Sequence, residues 1–314
     1  MNTSKIYVKK NDKIYLAGHN GLVGSSVLKN LREKGFKNII TISKRKLNLL
    51  NQLKVFLFVK KIKPKALIIC AARVGGVKAN KNQKADFIYE NMTIQNNLIN
   101  AAFRNKVERL VFLGSSCIYP AKSGQPIKEK YLLTGPLEKT NDAYAIAKIS
   151  GIKFCQSLNE QYGKNYICLM PTNIFGKNDN FNLQNSHFIP ALIRKIHTAI
   201  KKKQKKVEVW GTGKPKREIM HVDDLADAII YFLNKKTDES LINIGSGYEK
   251  TINQFANILI KISGHKLKIK NINKNLNGVK RKLLNTNIAK KYGWQSKENI
   301  LIKLKETFDS YKQS

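Results

Sequence analysis

Short apolar runs alternate along the chain with longer stretches in which apolar residues recur every three or four positions. The runs are typical of strands buried on both faces of a parallel sheet, and the stretches between them are typical of amphipathic helices. Such an alternation predicts an α/β fold of the Rossmann type, a doubly wound parallel sheet. The strands are predicted at residues 14–17, 38–43, 66–71, 110–113, 167–170 and 241–244, and the clearest helices at 22–31, 87–103 and 143–162.

The alternation weakens after Pro171. Residues 178–185 are polar and rich in turn formers, and the remaining pattern predicts a helix over about 190–203 and a strand at 207–210. The tail from 251 predicts a helix, an Asn/Lys-rich loop and a last helix at 301–311. We therefore expect a Rossmann domain formed by 1–175 and 219–247, and a smaller, discontinuous α+β region for substrate formed by 176–218 and 248–314.

Composition is that of a globular protein, with 42% hydrophobic and 25% charged residues, and no window has the ~20 apolar residues of a membrane span. Charge is unusual, because 58 Lys and Arg against 21 Asp and Glu give a formal +37. The lysines are scattered, and only 201–206 is a dense basic run. A compositional bias explains this better than nucleic-acid binding, which usually needs a clustered basic stripe with aromatics. A basic nucleic-acid-binding protein remains an alternative.

Cysteines and the N-terminus bear on the cellular compartment. The four cysteines, at 70, 117, 155 and 168, form no CxxC pair and no cluster with metal-ligand spacing, so no metal site is predicted. Residues 1–13 lack the apolar stretch of a signal peptide. Both features favour the cytoplasm.

A glycine triplet lies between the first predicted strand and the first predicted helix. Gly18 suits a tight turn, Gly21 lets a pyrophosphate approach the backbone, and Gly24 lets helix and strand pack closely. The helix that starts at Leu22 and Val23 offers free N–H groups to the phosphates. The pattern predicts a dinucleotide site.

The residues after the second strand indicate which dinucleotide binds. NAD-binding folds usually carry an acid here for the ribose 2′-hydroxyl, whereas this chain has Lys44 and Arg45. Two cations suit a 2′-phosphate. We therefore expect NADPH rather than NADH.

Tyr144 and Lys148 are four residues apart on a predicted helix, so they share one face. A phenol has a pKa of about 10, and a neighbouring ammonium is expected to favour the phenolate. A strand that ends at Ser115 and Ser116 would bring a hydroxyl to the same sheet edge, where it can bind a substrate carbonyl oxygen. The sequence thus predicts a carbonyl-reducing site.

This Ser, Tyr and Lys set resembles that of the extended short-chain dehydrogenases/reductases. Longer strings, spread over nearly the whole chain, resemble the GDP-L-fucose synthase family, which epimerises and reduces GDP-4-keto-6-deoxy-D-mannose. The strings are GHNGLVGS, AARVGGVKAN, DFIYENM, LGSSCIYP, EKTNDAYAIAKISGIKFC, MPTNIFGKNDNF, NSHFIPALIRK and REIMHVDD.

The resemblance implies NADPH-dependent 3,5-epimerisation and 4-reduction, and a homodimer that pairs the helices around 91–103 and 143–162. It implies a catalytic set of Ser115, Cys117, Tyr144, Lys148 and His187. The implied cofactor residues include Ala71, Pro171 and Asn173 besides the glycine turn, Lys44, Arg45, Tyr144 and Lys148. The implied substrate residues are Asn173, His187, Lys195, Trp210 and Arg217.

Two of these residues fit the chemistry of inversion beside a ketone. The C3 and C5 protons of a 4-keto sugar are acidic, and inversion needs a base on one face and an acid on the other. Cys117 is expected to be the base if nearby cations stabilise its thiolate, and His187 the acid, because it titrates near neutrality.

The chain departs from the family pattern at two places. Asn20 stands where relatives often have an Arg that helps to bind the 2′-phosphate, and 279–285 lacks the Pro and the acid of a PRKLLD pattern. The nearest alternative function is that of a GDP-colitose synthase. A nucleotide-sugar 4-epimerase, which would hold NAD without net redox change, is less favoured because of the basic strand end and the Cys/His pair.

Overall fold

The computed structural model describes residues 8–273 and 278–313. Residues 1–7, which belong to the stretch interpreted above as lacking a signal peptide, lie outside the described residues, as does 274–277 of the predicted Asn/Lys-rich loop. No helix within the described ranges is both long enough and apolar enough to cross a membrane.

The first half of the chain alternates strands with helices. In order, the elements are β1 (Ile14–Ala17), α1 (Leu22–Glu33), β2 (Ile39–Ile40), α2 (Gln52–Ile62), β3 (Ala66–Ile69), α3 (Val77–Asn82), α4 (Lys84–Arg104), β4 (Arg109–Leu113), α5 (Asp142–Tyr162) and β5 (Asn165–Pro171).

The second half mixes short strands with helices. In order, the elements are β6 (Asn173–Phe175), α6 (Phe188–Lys201), β7 (Lys206–Trp210), β8 (Lys216–His221), α7 (Val222–Asn234), β9 (Leu241–Ile244), β10 (Glu249–Thr251), α8 (Ile252–Ser263), β11 (Lys268–Ile272), β12 (Arg281–Lys282), α9 (Asn287–Lys291) and α10 (Ile300–Gln313).

Six parallel strands form the central sheet, in the order β2-β1-β3-β4-β5-β9. Successive side chains of a strand point to opposite faces, so Ile14 and Leu16 join the core under α1 and α7, and Tyr15 and Ala17 join the core under α2, α4 and α5. This arrangement confirms the predicted Rossmann-type, doubly wound α/β fold.

The second strand is shorter than predicted. Only Ile39 and Ile40 of 38–43 pair with β1, because this strand forms the edge of the sheet and both of its residues remain partly exposed. The prediction of a strand over 38–43 was therefore wrong at both ends. The chain that follows leads towards Lys44, on the same sheet edge as the glycine turn.

The strand order reverses next to β1, which is followed in sequence by β2 on one side and by β3 on the other. The connections after β1 and β3 therefore leave in opposite directions, and a crevice opens at the carboxyl ends of these strands, where folds of this type bind ligands. Gly18 directly follows β1, and Ala71 follows β3 by two residues.

A third core packs α6, α8 and α10 around Phe175, Phe255 and Phe308. Beside it, β8 pairs with β6, β10 and β12, and β7 pairs with β11. The predicted strand at 207–210 is β7.

Glu218 of β8 connects this region to its surroundings. Its side chain is fully buried, and its two carboxylate oxygens accept backbone N–H groups of Gly247, at 2.7 Å, and Leu284, at 3.0 Å. Its backbone carbonyl accepts the side chains of Thr172 and Asn173, just beyond β5. Burial raises the pKa of this carboxyl. β8 therefore joins the central sheet to the smaller region.

Candidate active site

One cavity of about 950 Å³ lies at the carboxyl edge of the sheet. The glycine turn, the residues after β3, β4 and β5, and the segment between β6 and α6 line one side of it. Arg217, Val279 and Lys282 from the smaller region line the other. The cavity is thus built from both parts of the molecule.

The three positions of the turn lack a side chain for different reasons. Gly18 has a φ of +92°, and a Cβ there would lie 2.5 Å from the nitrogen of Ala71. A Cβ on Gly24 would lie 2.0 Å from the Gly18 oxygen, so helix and strand need that glycine to pack. A Cβ on Gly21 would meet no protein atom closer than 3.7 Å. The space beside Gly21 therefore belongs to the cavity.

This turn fits a dinucleotide pyrophosphate. No side chain caps the start of α1, and its first turn holds no acid, so its amides and positive dipole end can serve phosphates. Several other residues predicted for the cofactor line the same cavity: Leu22, Val23, Lys44, Ala71, Pro171 and Asn173. Arg45 is exposed and does not line it, and Asn20 does.

Ser115 and Cys117 follow the buried strand β4. Ser115 begins a short 3₁₀ helix over Ser116–Ile118, and its Oγ accepts the backbone N–H of Cys117 at 3.4 Å. Both side chains line the cavity. The start of this 3₁₀ helix therefore presents a hydroxyl and a thiol two residues apart at one edge of the sheet.

Tyr144 and Lys148 lie one turn apart on α5, and both line the cavity. The Lys148 ammonium donates to the carbonyl oxygen of Leu113 at 2.7 Å and lies 5.8 Å from the centre of the Tyr144 ring. Burial lowers the pKa of Lys148 to about 8.

The expected effect of this ammonium on the phenol is absent. Burial raises the pKa of Tyr144, and the nearby Cys117 raises it further. The prediction of a phenolate favoured by Lys148 was therefore wrong, because the ammonium is committed to a backbone carbonyl and desolvation dominates. Tyr144 is a protonated phenol at neutral pH, the form that can donate a proton.

Burial also affects the charge of Cys117 and His187. Cys117 is 7% exposed, and burial raises the pKa of its thiol, although Lys282, the Ser115 hydrogen bond and Lys148 act in the opposite direction. His187 directly precedes α6, and burial lowers its pKa. Burial thus favours the uncharged form of both groups, because desolvation disfavours either charge, and the expected role of Cys117 as a base depends on the nearby cations that oppose this effect.

The residues predicted to hold the nucleotide fall into two places. Arg217 and Asn173 line the cavity, and Arg217 Nη1 also donates to the carbonyl oxygen of Val279 at 2.8 Å. Lys195 and Trp210 do not line it, but form a cation–π pair, with the ammonium 4.5 Å from the ring centre. Trp210 is 40% exposed, so it is not a core residue.

Besides Arg73 and Glu90, three charged residues of the cavity wall were missed by the sequence reasoning: Glu138, Asp179 and Lys282. Asp179 Oδ1 accepts the N–H of Asn180 at 2.7 Å, its Oδ2 is buried without a hydrogen-bond partner, and burial raises its pKa to about 7. Glu, Asp and Lys usually lie on protein surfaces, so these three residues do not stand out in the sequence. Only their neighbours in the strings LEKT, GKNDNF and RKLL could have marked them.

Among the described residues no group of three or more His, Cys, Asp or Glu side chains could hold a metal ion. All four cysteines are free.

Known proteins that are similar to this chain indicate the class of reaction that the site performs. The model of the NAD dependent epimerase/dehydratase family matches residues 14–245. The GDP-L-fucose synthase of Sinorhizobium fredii is 43% identical over 98% of this chain and 97% of its own length. The GDP-L-colitose synthase of Yersinia pseudotuberculosis is 38% identical over 92% of this chain and 94% of its own length.

A solved structure is similar over the same extent. The GDP-D-glycero-L-gluco-heptose synthase of Campylobacter jejuni, whose crystal structure was determined in the presence of NADPH, has a TM-score of 0.87 and 35% sequence identity. The match covers 98% of this chain and all of that chain. The similarity therefore includes the smaller region as well as the central sheet.

Proposed function

Because this chain belongs to the NAD dependent epimerase/dehydratase family and, within it, to the GDP-L-fucose synthases, we propose that it converts GDP-4-keto-6-deoxy-D-mannose into GDP-L-fucose with NADPH. One observation carries the proposal. Ser115, Cys117, Tyr144, Lys148 and His187 all line a single cavity that also contains the glycine turn. The set supplies what two inversions and one reduction need.

The reduction uses the groups around the C4 carbonyl. NADPH, when bound, supplies the hydride that reduces C4. Tyr144, a protonated phenol, gives its proton to the C4 oxygen, and Ser115 donates a hydrogen bond that holds this oxygen in place. Lys148, fixed by the carbonyl oxygen of Leu113, keeps the phenol oriented on α5.

The inversions at C3 and C5 use Cys117 and His187. One group removes the proton next to the ketone, and the other returns a proton from the opposite face. The donors that hold the C4 oxygen for reduction also stabilise the enolate formed between these two steps. One constellation thus serves both half-reactions.

Different parts of the cavity wall hold the cofactor and the substrate. Gly21 and the start of α1 bind the cofactor pyrophosphate, and Lys44 binds its 2′-phosphate, with Arg45 outside the cleft. Arg217 and Asn173 bind the GDP diphosphate and its sugar. Trp210, whose ring is partly exposed outside the cavity wall, stacks on the guanine, and Lys195 holds that ring through its cation–π contact.

The first test is NADPH oxidation by the purified protein after addition of GDP-4-keto-6-deoxy-D-mannose, with NADH in a parallel arm. We expect substrate-dependent loss of NADPH absorbance and, by NMR, GDP-L-fucose as product. Tyr144→Phe keeps the ring and removes the proton donor, so it should reduce kcat by about 10²- to 10⁴-fold with the fold intact. Faster turnover with NADH would contradict the role given to Lys44.

The similar colitose synthase supplies a second candidate. Its substrate lacks the 3-hydroxyl, so a single inversion precedes reduction. The same assay with GDP-4-keto-3,6-dideoxy-D-mannose separates the two. Turnover of this sugar alone would replace the fucose assignment, and no turnover of either by folded protein would refute both.

Three further features belong to the same proposal. The Rossmann part, 1–175 and 219–247, binds the cofactor, and 176–218 with 248–314 binds the GDP-sugar, a division supported by the separate third core.

The protein is a homodimer that pairs α4 and α5, which expose Tyr89 and Ile146. It works in the cytoplasm, in keeping with four free cysteines. Sedimentation of the wild type and of Ile146→Glu tests the dimer.

A further inference from the structure

Lys282 has no part in the reaction as derived so far, although it lines the cavity together with Cys117. It lies at the end of β12, a two-residue strand near the C-terminus. No hydrogen bond or ion pair holds its ammonium among the residues that the structure describes. A half-buried cation without such a partner is costly unless a nearby anion balances it.

Backbone contacts fix the position of this lysine. β12 pairs in parallel with β8, and Lys282 lies opposite Arg217 in that register. The next residues are tied to the loop that follows the 3₁₀ helix of Cys117: Ile127 donates to the carbonyl oxygen of Leu283 at 2.7 Å, and Asn285 donates to that of Ile127 at 2.8 Å. The strand therefore stays at the wall that holds Cys117.

The charged and titratable groups around this pair come from several elements. Lys148 and Tyr144 of α5 interact electrostatically with Cys117, as does Lys282, and Ser115 hydrogen-bonds to the Cys117 thiol. Among the cations, Lys282 lowers the pKa of Cys117 more than Lys148 does.

A second set surrounds Lys282 itself. Burial and the neighbouring Arg217 lower its pKa, whereas Cys117 and Glu138 raise it. Glu138 therefore helps to keep the ammonium charged beside the thiol.

We propose that Lys282 activates Cys117, its ammonium serving as the counter-ion of the thiolate that removes the proton beside the ketone. This inference rests on the proposed function and assigns a residue to its epimerisation half. Lys282 acts through Cys117 and is therefore a positioning residue. Its role differs from that of Lys148, whose ammonium is committed to the Leu113 carbonyl.

The step balances as a proton transfer. The Cys117 thiol first loses its proton to solvent, and the thiolate that remains pairs with Lys282. The thiolate then takes the proton from C3 or C5: the C–H bond breaks, an S–H bond forms, and the electron pair moves onto the C4 oxygen as an enolate. A proton returned to the opposite face completes the inversion.

The test measures thiolate formation directly, without the sugar. The full-length protein is alkylated with iodoacetamide over a range of pH, and Cys117 modification is quantified by mass spectrometry of its peptide. Lys282→Met removes the charge and keeps the length, Lys282→Arg keeps the charge, and Lys280→Met removes an exposed charge two residues away. Lys282→Gln, checked by circular dichroism, is a second neutral variant in case the Met variant does not fold.

We expect both neutral variants to move the pH midpoint of Cys117 alkylation upward by about one unit, and to slow alkylation about tenfold below the midpoint. Lys282→Arg should stay within about threefold of the parent, and Lys280→Met should match it. In D₂O, exchange of the C3 and C5 protons of the sugar should slow in the neutral variants by about the same factor.

Two results would overturn the inference. One is an alkylation profile that is unchanged in Lys282→Met; the other is an unchanged exchange rate with only KM raised, which would assign Lys282 to the diphosphate beside Arg217. Failure of the proposed function is distinguishable, because the parent would then not turn over the sugar, while the shift in alkylation would still support the pairing of Lys282 with Cys117.

Discussion

At the scale of single residues, burial favours the uncharged forms of three groups predicted to be catalytic, Cys117, Tyr144 and His187. Burial raises the pKa of Cys117 and Tyr144 and lowers that of His187, so Tyr144 can donate a proton directly, whereas Cys117 needs a nearby cation before it can act as a base. Most of the residues predicted from spacing and from the family resemblance line the cavity, although Arg45, Lys195 and Trp210 do not. Sequence spacing could not predict their charge, because desolvation depends on which side chains cover them, and those come from distant parts of the chain.

The glycine turn separates a requirement of the fold from a requirement of the ligand. Gly24→Ala should destabilise the protein by several kcal/mol, because its Cβ would overlap the Gly18 carbonyl. Gly21→Ala should cost at most about 1 kcal/mol, the loss of a favourable N-cap residue, and should weaken NADPH binding by about tenfold or more.

Urea unfolding and NADPH titration by fluorescence measure the two effects for the same pair of variants. Equal NADPH affinity in the parent and Gly21→Ala would show that the space beside Gly21 does not receive the pyrophosphate.

Asp179 predicts how stability changes with pH. Its carboxyl keeps its proton up to about pH 7 in the folded protein, whereas in the unfolded chain it loses the proton near pH 4. The folded state binds more protons between these values, so this group makes stability fall as pH rises through that window. Asp179→Asn should therefore be more stable than the parent at pH 8, by roughly 1–3 kcal/mol, and equal to it near pH 4.

Urea unfolding at both pH values checks this expectation. Asp238→Asn, a change at an exposed carboxylate, is the control. A stability difference between Asp179→Asn and the parent that does not depend on pH would contradict the assignment.

At the scale of elements, the sequence predicted most strands of the central sheet and missed most strands of the smaller region, including β8, although its last four residues are buried. The strands β1, β3, β4, β5 and β9 are continuous apolar runs and were found. The strand β11, with the sequence KIKNI, was missed, because its alternating lysines resemble a solvated loop. Short strands such as β6 and β12 owe their existence to pairing with β8, and no local pattern marks them.

The loop after β3 is held by a helix rather than by its own turn residues. Asn91 of α4 is 2% exposed; its Oδ1 accepts the N–H of Arg73 at 2.9 Å, and its Nδ2 donates to the Arg73 carbonyl oxygen at 3.0 Å. Asn91→Ala leaves these backbone groups without partners, so we expect a loss of about 2–3 kcal/mol in unfolding free energy and weaker NADPH binding.

Asn96→Ala, on an exposed position of the same helix, is the matched control and should be neutral or slightly stabilising. Thermal unfolding monitored by circular dichroism compares the three proteins. Equal melting of Asn91→Ala and the parent would show that the loop holds its shape without this side chain.

At the scale of the whole molecule, the formal charge of +37 acts as a field. This field should attract the anionic substrate and cofactor. The positive side chains also repel one another across the folded surface, which lowers the stability of the folded state. We expect the melting temperature to rise by about 3–6 °C between about 20 and 300 mM NaCl, because salt screens that repulsion.

A melting temperature that falls with salt would mean that ion pairs outweigh the repulsion. The same salt series with random duplex DNA tests the alternative of a nucleic-acid-binding protein. Micromolar affinity that persists at physiological salt would support that alternative, since contacts of a merely basic protein weaken steeply.

The way in which β12 completes the cavity has a consequence for translation. Gly18 leaves the ribosome early, and β1 to β5 can assemble as soon as Pro171 has emerged, since all five lie side by side. Lys282 and the strand that carries it are added only when about nine-tenths of the chain has been made. A nascent chain therefore has its glycine turn long before it has the wall beside Cys117, and a chain that stops before β12 would lack part of the sugar site even when α7 already covers β1.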